Sequence, residues 1–323
     1  MKPTAFISTA LKGVAMGLAE VIPGVSGGTI AFITGIYERL INAIKAFGPS
    51  LLTTFRDEGF VGLWRTIDGR FLLSLLVGMA VGIVVGVFGL SYLLDNYPPV
   101  VWAFFFGLII ASAIYIGRQI EQWKLGEILL LLLGTAIAYG ITIISPANGS
   151  ESLFFVFISG AIAISALILP GISGSFILLL MGMYTFIISD TLKPALKTLA
   201  PDKLLTMGVF ALGCLLGVGT LSRLLSWTFK NFRSLTLATL TGFMLGSLNK
   251  IWPWRNATEW LRDAAGNIVM DDDGLMPKKT LLEDNVLPSA YEGEPFVLLA
   301  VLFMIIGFAS VFLIERMGRT ETS

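Results

Sequence analysis

Residues 20–28 read EVIPGVSGG and residues 167–175 read LILPGISGS, each inside a long apolar run. After Pro23 come Gly24, Ser26, Gly27, Gly28 and Thr29; after Pro170 come Gly171, Ser173, Gly174 and Ser175. At the start of a helix such residues offer free N–H groups, hydroxyl donors, room for close approach and the positive end of the helix dipole. That combination suits an anion, above all a phosphate. The same small residues also serve tight helix packing and a turn, and a second copy of the motif is what favours a site over packing alone. Glu20 is the ionisable group of the first motif, and its counterpart in the second is Leu167, so the local fold does not require an acid there. It could carry a proton with a substrate or accept hydrogen bonds from the hairpin backbone. Arg223 could grip a phosphate bidentately or snorkel to the headgroups. Arg39, next to Glu38, belongs at one mouth of such a site or in an interfacial ion pair, and Arg118 at a span end reads as a topology charge. The chain has no histidine and one cysteine, Cys214. His-ligated zinc, haem, a histidine base and an intramolecular disulfide are therefore excluded. No catalytic residue, metal or cofactor is expected.

The elements that position these residues follow from composition. With 55% hydrophobic and 14% charged residues the chain cannot hide its apolar surface in a soluble core, because soluble domains carry roughly 25% charge. The expected fold is an all-α polytopic membrane protein. Ordinary spans are expected near 71–94, 99–117, 125–145, 204–228, 234–251 and 295–315, each close to the ~20 residues that cross ~30 Å of hydrocarbon. No removable signal peptide is expected at the start. The stretches 5–47 and 152–190 are apolar but cut by Pro-Gly, so each is expected to be two helical pieces joined by a non-helical tip. Exposed backbone of that kind survives at membrane depth only where protein or a wet cavity receives it. The first stretch reads as a re-entrant hairpin. The second reads the same way by preference, although its arms are long enough to span.

The two stretches are copies. At an offset of 147, Gly13, Pro23, Gly24, Ser26, Gly27, Ile30, Gly35 and Tyr37 meet Gly160, Pro170, Gly171, Ser173, Gly174, Ile177, Gly182 and Tyr184. Downstream, an offset of 131 aligns Gly82 and Gly86 with Gly213 and Gly217, and 135 aligns Gly107 and Ser112 with Gly242 and Ser247. Residues 1–148 and 149–323 are thus expected to be two repeats of one hairpin plus three spans, the second inserted upside down, as in many secondary transporters. With cytoplasmic termini the inside segments collect most of the basic residues, and the loops 95–98 and 146–151 carry none. Lys193, Lys197 and Lys203 fall outside in this scheme and disagree with it. The long loop 252–294, with nine acidic and four basic residues, would also lie outside, but long loops carry little vote on orientation.

The runs GLAEVIPGVSGGTIAFITGIYERLI and LILPGISGSFILLLMGMY closely resemble the bacterial polyprenyl-phosphate translocase family called PopT, over essentially the whole chain. The resemblance implies transport of undecaprenyl phosphate from the outer to the inner leaflet of the bacterial cytoplasmic membrane, for reuse in peptidoglycan and other envelope polymers. It implies a lipid partner and no nucleic acid. On that footing the tips would hold the phosphate in a groove open sideways to the bilayer, and rocking of one repeat would expose it to each leaflet in turn. No GxxxxGK[ST] loop is present, so uphill movement would draw on protons or membrane potential. A carrier or channel for a small soluble anion would use the same tips and would be told apart by inhibition with inorganic anions. A membrane enzyme acting on lipid phosphates would need a base or metal cluster, which the scattered carboxylates do not provide.

Overall fold

A computed structural model describes residues 3–22, 25–48, 50–147, 149–192, 194–195, 199–260, 268 and 280–320. The helices in chain order are α1 (Pro3–Val21), α2 (Gly27–Ile33), α3 (Tyr37–Lys45), α4 (Ser50–Thr66), α5 (Gly69–Asn96), α6 (Pro98–Gly117), α7 (Leu125–Ile143), α8 (Leu153–Ile168) and α9 (Gly174–Leu180). A π-helical turn (Phe186–Leu192) follows, then α10 (Pro201–Asn231), α11 (Arg233–Ser247), an antiparallel ribbon of β1 (Arg255–Trp260) with β2 (Thr280–Asn285), and α12 (Val297–Thr320).

Among the described residues five helices, α5, α6, α7, α10 and α12, are long and apolar enough to cross a membrane. The sixth span expected over 234–251 is shorter: α11 has 15 residues and ends at Ser247, about 22 Å at ~1.5 Å per residue. It can be short because it is sheathed by protein, with Leu237, Ala238, Leu240 and Met244 buried. The ribbon was not expected in an all-α chain. It occupies part of the 252–294 loop, and Trp252 and Trp254 anchor it through indole N–H donors to the carbonyls of Val286 and Pro295.

Both Pro-Gly stretches break into a long arm and a seven-residue helix. Pro23 and Gly24 lie outside the described residues; Gly171 takes a positive φ of 85°. At ~1.5 Å per residue, α2 and α9 rise only about 10 Å each, far short of the hydrocarbon. They end alike. Gly35 and Gly182, 147 residues apart, sit at φ 73° and 66°, and the following N–H groups of Ile36 and Met183 turn back to the carbonyls of Ala31 and Leu178. Glycine is needed there because the left-handed turn closes the helix without a Cβ penalty.

The dominant helix pairings are α1 with α5, α8 with α10, α7 with α11 and α6 with α12. Exchanging α1, α5, α6, α7 for α8, α10, α11, α12 maps this set onto itself. The glycines at the contacts follow the same rule. A Cβ on Gly78 or Gly82 would collide with the carbonyls of Ala10 or Val14, and one on Gly213 or Gly217 with those of Phe157 or Ala161. Likewise Gly107 abuts Met304 and Gly134 abuts Thr239, while Gly242 abuts Leu131 and Gly307 abuts Phe104. These contacts correct the downstream register. Gly78 and Gly82, not Gly82 and Gly86, correspond to Gly213 and Gly217, so one offset of 135 serves both spans. The expected 131 is wrong by about one helical turn, because α5 offers glycines at 78, 82 and 86 and the sequence alone does not say which pair touches α1.

Candidate functional site

The two tips meet each other at the centre of the main buried cluster. Ser26 N-caps α2, its Oγ accepting from the Gly28 N–H at 3.0 Å, and the same hydroxyl donates to the Leu167 carbonyl at 3.0 Å. The Gly171 N–H donates to Thr29 Oγ1 at 3.1 Å, and Tyr37 Oη donates to the Ile168 carbonyl at 3.2 Å. A Cβ on Gly28 would stand 2.6 Å from the Ile168 oxygen. Glu20 completes the first tip: its Oε1 accepts the Gly27 N–H at 2.7 Å. The carboxylate therefore lies where an anion at the start of α2 would lie. Ser26 and Thr29 are fully buried.

This brings together Glu20, Ser26, Gly27, Gly28, Thr29 and Gly171, but their polar groups are used on one another. Gly24 lies outside the described residues. On the second tip Ser173 and Ser175 share a hydrogen bond at 2.9 Å, and Gly174 lies against the Ala163 carbonyl. The two arginines are elsewhere. Arg39 pairs with Asp68 at 2.6 Å and stacks over Phe71 at 4.3 Å. Arg223 donates to the carbonyls of Gly219 and Phe47 at 2.7 and 3.1 Å, which ties α10 to the end of α3. Glu38 binds Arg233 rather than its neighbour Arg39.

Polar cavities lie on either side of the joined tips. One, of about 280 Å³, is walled by the ends of α7 and α11, by Phe176 of α9 and by the ribbon; its charged groups are Lys250, Arg255, Glu283 and Asp284. A narrow cleft lined by Gly171, Ser173, Phe176 and Lys250 leads from it to the second tip. Beside it an apolar groove of about 490 Å³ runs between α7 and α11, lined by Phe106, Leu132, Tyr139 and Trp252, and shares Asn249 and Asn285 with the cavity wall. The groove rim faces outward, with Leu132 and Tyr139 about half exposed. The other cavity, of about 420 Å³, lies between α3 and the end of α10 and carries Glu38, Lys45 and Lys230. Phe229 in its wall packs against a tilted Phe32 ring and edge-on against Tyr37, whose hydroxyl reaches the Ile168 carbonyl before the second tip. Because α10 and α11 join at Phe232, the two cavities stand at opposite ends of α11.

Lys250 was not singled out from the sequence, where it is one lysine at the end of an expected span. Its Nζ lies 3.3 Å from Glu283 and 4.9 Å from the Phe176 ring centroid. Arg255 holds Glu283 more closely, at 2.7 Å, donates to the Lys250 carbonyl at 2.6 Å and stacks over Trp102. Burial pulls the Arg255 guanidinium below its ordinary pKa, and Glu283 opposes that shift.

The fold and cavities define a multi-pass membrane protein with broken helices at its core and polar chambers to either side. The chain belongs to the undecaprenyl phosphate translocase-like family, whose model matches residues 16–269. It is 44% identical over 315 residues, 96% of each chain, to a polyprenyl-phosphate transporter of Vibrio cholerae. It is 33% identical over 272 residues, 75% of this chain and 85% of the relative, to a polyprenyl-phosphate transporter of Staphylococcus aureus. No solved structure matches the chain.

Proposed function

We propose that the protein carries undecaprenyl phosphate from the outer to the inner leaflet of the bacterial cytoplasmic membrane, where it supplies peptidoglycan and other envelope polymers. The observation that carries this reading is the pairing of a lysine-bearing polar cavity with an outward-facing apolar groove across a shared wall at Asn249 and Asn285. A small soluble anion has no use for the groove. A prenyl phosphate fits both, with its head in the cavity and its chain in the groove. The names of the two relatives support the same substrate class and a transporter rather than an enzyme.

In this reading residues 1–148 and 149–323 are inverted repeats, the Pro-Gly hairpins are re-entrant, and both termini are cytoplasmic. The exchange symmetry of helix pairs and contact glycines supports the repeats, and the seven-residue α2 and α9 support hairpins that turn back. The joined tips are a septum. The ribbon-side cavity opens to the outer leaflet and the α3-side cavity to the inner one. The α3 side is the closed side, because α3 is fastened to α10 by Asn42 with Ser226 at 3.1 Å, Lys45 with Ser226 at 3.0 Å and Arg223 with the Phe47 carbonyl. The turn 186–192, which stands 147 residues from 39–45, makes no comparable packing against α5 among the described residues. Rocking of the repeats releases the first contact and forms the second. Glu20, present in one tip only, is the candidate proton carrier.

The test is a double variant, Asn42→Cys with Ser226→Cys, in proteoliposomes that report transfer of labelled undecaprenyl phosphate between leaflets. Oxidation is expected to stop transfer and reduction to restore it, with undecaprenol not moved in either state. Transfer at the same rate when oxidised rules out rocking about this contact. Transfer of undecaprenol as fast as the phosphate rules out a headgroup carrier.

A further inference from the structure

We infer that Lys250 is the cation that first receives the substrate's phosphate, and that the groove between α7 and α11 receives the adjoining isoprene units; this rests on the transport reading above. The cavity holds two basic and two acidic side chains, so its net charge does not single out an anion site. The partnering does. Arg255 has a side chain only 5% exposed and is committed three ways: to Glu283, to the Lys250 carbonyl and to the Trp102 face. Glu283 is thereby neutralised by Arg255. Lys250 keeps only the longer contact to the same Glu283 oxygen, at 3.3 Å, and an ammonium has three donors. Of the cavity's two cations it is the one without a carboxylate held at close range, while the second acid, Asp284, is exposed at the rim and makes no ion pair among the described residues. It also lines both the cavity and the cleft that reaches Ser173 and Gly171, so a phosphate held there stands beside the second tip. Phe176, under the ammonium, bounds the same passage.

The groove gives the site its second requirement. Asn249, next to Lys250 in the chain, lies in the walls of both the cavity and the groove. A single molecule with a phosphomonoester head and a prenyl chain spans both by passing over or parting this wall, in which Asn249 Nδ2 donates to Thr142 Oγ1 and Asn285 Nδ2 to Asn249 Oδ1, each at 2.8 Å. Apolar burial at ~25 cal/mol per Å² favours the chain in the groove only when it would otherwise meet water, so in lipid the groove orients the chain and the lysine supplies the attraction.

The experiment uses the full chain in detergent micelles with farnesyl phosphate, farnesol and inorganic phosphate as probes. Lys250→Met is expected to weaken farnesyl phosphate binding by about tenfold to a hundredfold, the range of a hydrogen bond to a charged group, and Lys250→Arg to restore most of it. Farnesol binding is expected to be the same in all three proteins. Ala136→Phe, which fills the groove, is expected to weaken farnesyl phosphate but not inorganic phosphate. In the unmodified protein, farnesyl phosphate is expected to protect Lys250 from an amine-acylating reagent read by mass spectrometry, and farnesol is not; this arm needs no variant to fold. Unchanged affinity in Lys250→Met, or acylation of Lys250 unaffected by bound farnesyl phosphate, overturns the assignment. If the protein moves prenyl phosphate while those results are negative, the transport reading stands and only Lys250 falls. If inorganic phosphate binds through Lys250 and farnesyl phosphate does not bind at all, the anion site stands and the lipid reading falls.

Discussion

Glu20 gives the sharpest prediction, because two neutral replacements separate its structural role from its charge. Its Oε1 accepts the N–H of Gly27, a buried residue, at 2.7 Å. Glu20→Gln keeps a carbonyl oxygen at that place. Glu20→Leu installs the residue that the second tip carries at 167, and leaves the N–H without its acceptor. Both variants lack the carboxylate, so whatever burying a charge costs cancels between them. What remains is one hydrogen bond and one orphaned donor, about 1–3 kcal/mol. The Leu variant is therefore expected to be less stable than the Gln variant by that amount, read by tryptophan fluorescence during SDS-induced unfolding in micelles. Equal stability would refute the claim that Glu20 holds the tip together. Transport then tests its charge. Glu20→Gln is expected to bind prenyl phosphate as the parent does, yet to lose the response of leaflet transfer to an imposed proton gradient. A response unchanged in Glu20→Gln removes Glu20 from proton coupling.

Three more outcomes are expected. Gly134→Val and Gly307→Val, which press on the carbonyls of Thr239 and Phe104, should each cost about 1–3 kcal/mol by overpacking; a loss in only one of the two breaks the proposed equivalence of α7 and α12. Cysteines at Ser150 and Glu259, both exposed, should react with an impermeant thiol reagent on intact cells, and cysteines at Arg65 and Glu121 should not; the reverse pattern overturns the proposed orientation. Arg39→Ala should leave farnesyl phosphate affinity unchanged and cost less than about 1 kcal/mol, since its partner Asp68 is a half-exposed surface carboxylate; a tenfold loss of affinity would return Arg39 to the site.

What the sequence made legible was local. A Pro-Gly pair breaks a helix through its own backbone chemistry, so the breaks between α1 and α2 and between α8 and α9 could be read without knowing any contact. Five of the six expected spans are helices long and apolar enough to cross, and α11 is shorter than its apolar run suggested, because hydropathy measures how apolar a segment is and not what covers it; Leu237 and Met244 are buried against protein. The register of the second half slipped by a turn for a related reason. Gly78, Gly82 and Gly86 are equivalent on paper, and only the carbonyls of Ala10 and Val14 distinguish them. Arg39 and Arg223 were placed near a phosphate by their charge alone, whereas Asp68 and the Phe47 carbonyl, 29 and 176 residues away in the chain, decide where they point. Lys250 is the converse case. Nothing beside it in sequence announces a cavity, and the cavity exists because α7, α9 and the ribbon converge on it from far along the chain.

The tips explain why the same residues can look like an anion site and yet be occupied. Ser26, Thr29 and the backbone around Gly27 and Gly171 have the donors and acceptors that a phosphate would use, but each is matched by a group on the opposite or the same tip. A buried polar group left unmatched costs more than a matched one gains, so the septum proposed above cannot open onto polar groups that then stay orphaned. A substrate whose head carries several acceptor oxygens can take over those donors as the tips part. In the inferred role of Lys250, the head would reach the second tip through the cleft at Ser173 before any tip contact is surrendered. On the transport reading proposed above, the phosphate is then both the cargo and the replacement partner for the bonds that hold the septum closed, which links opening to occupancy.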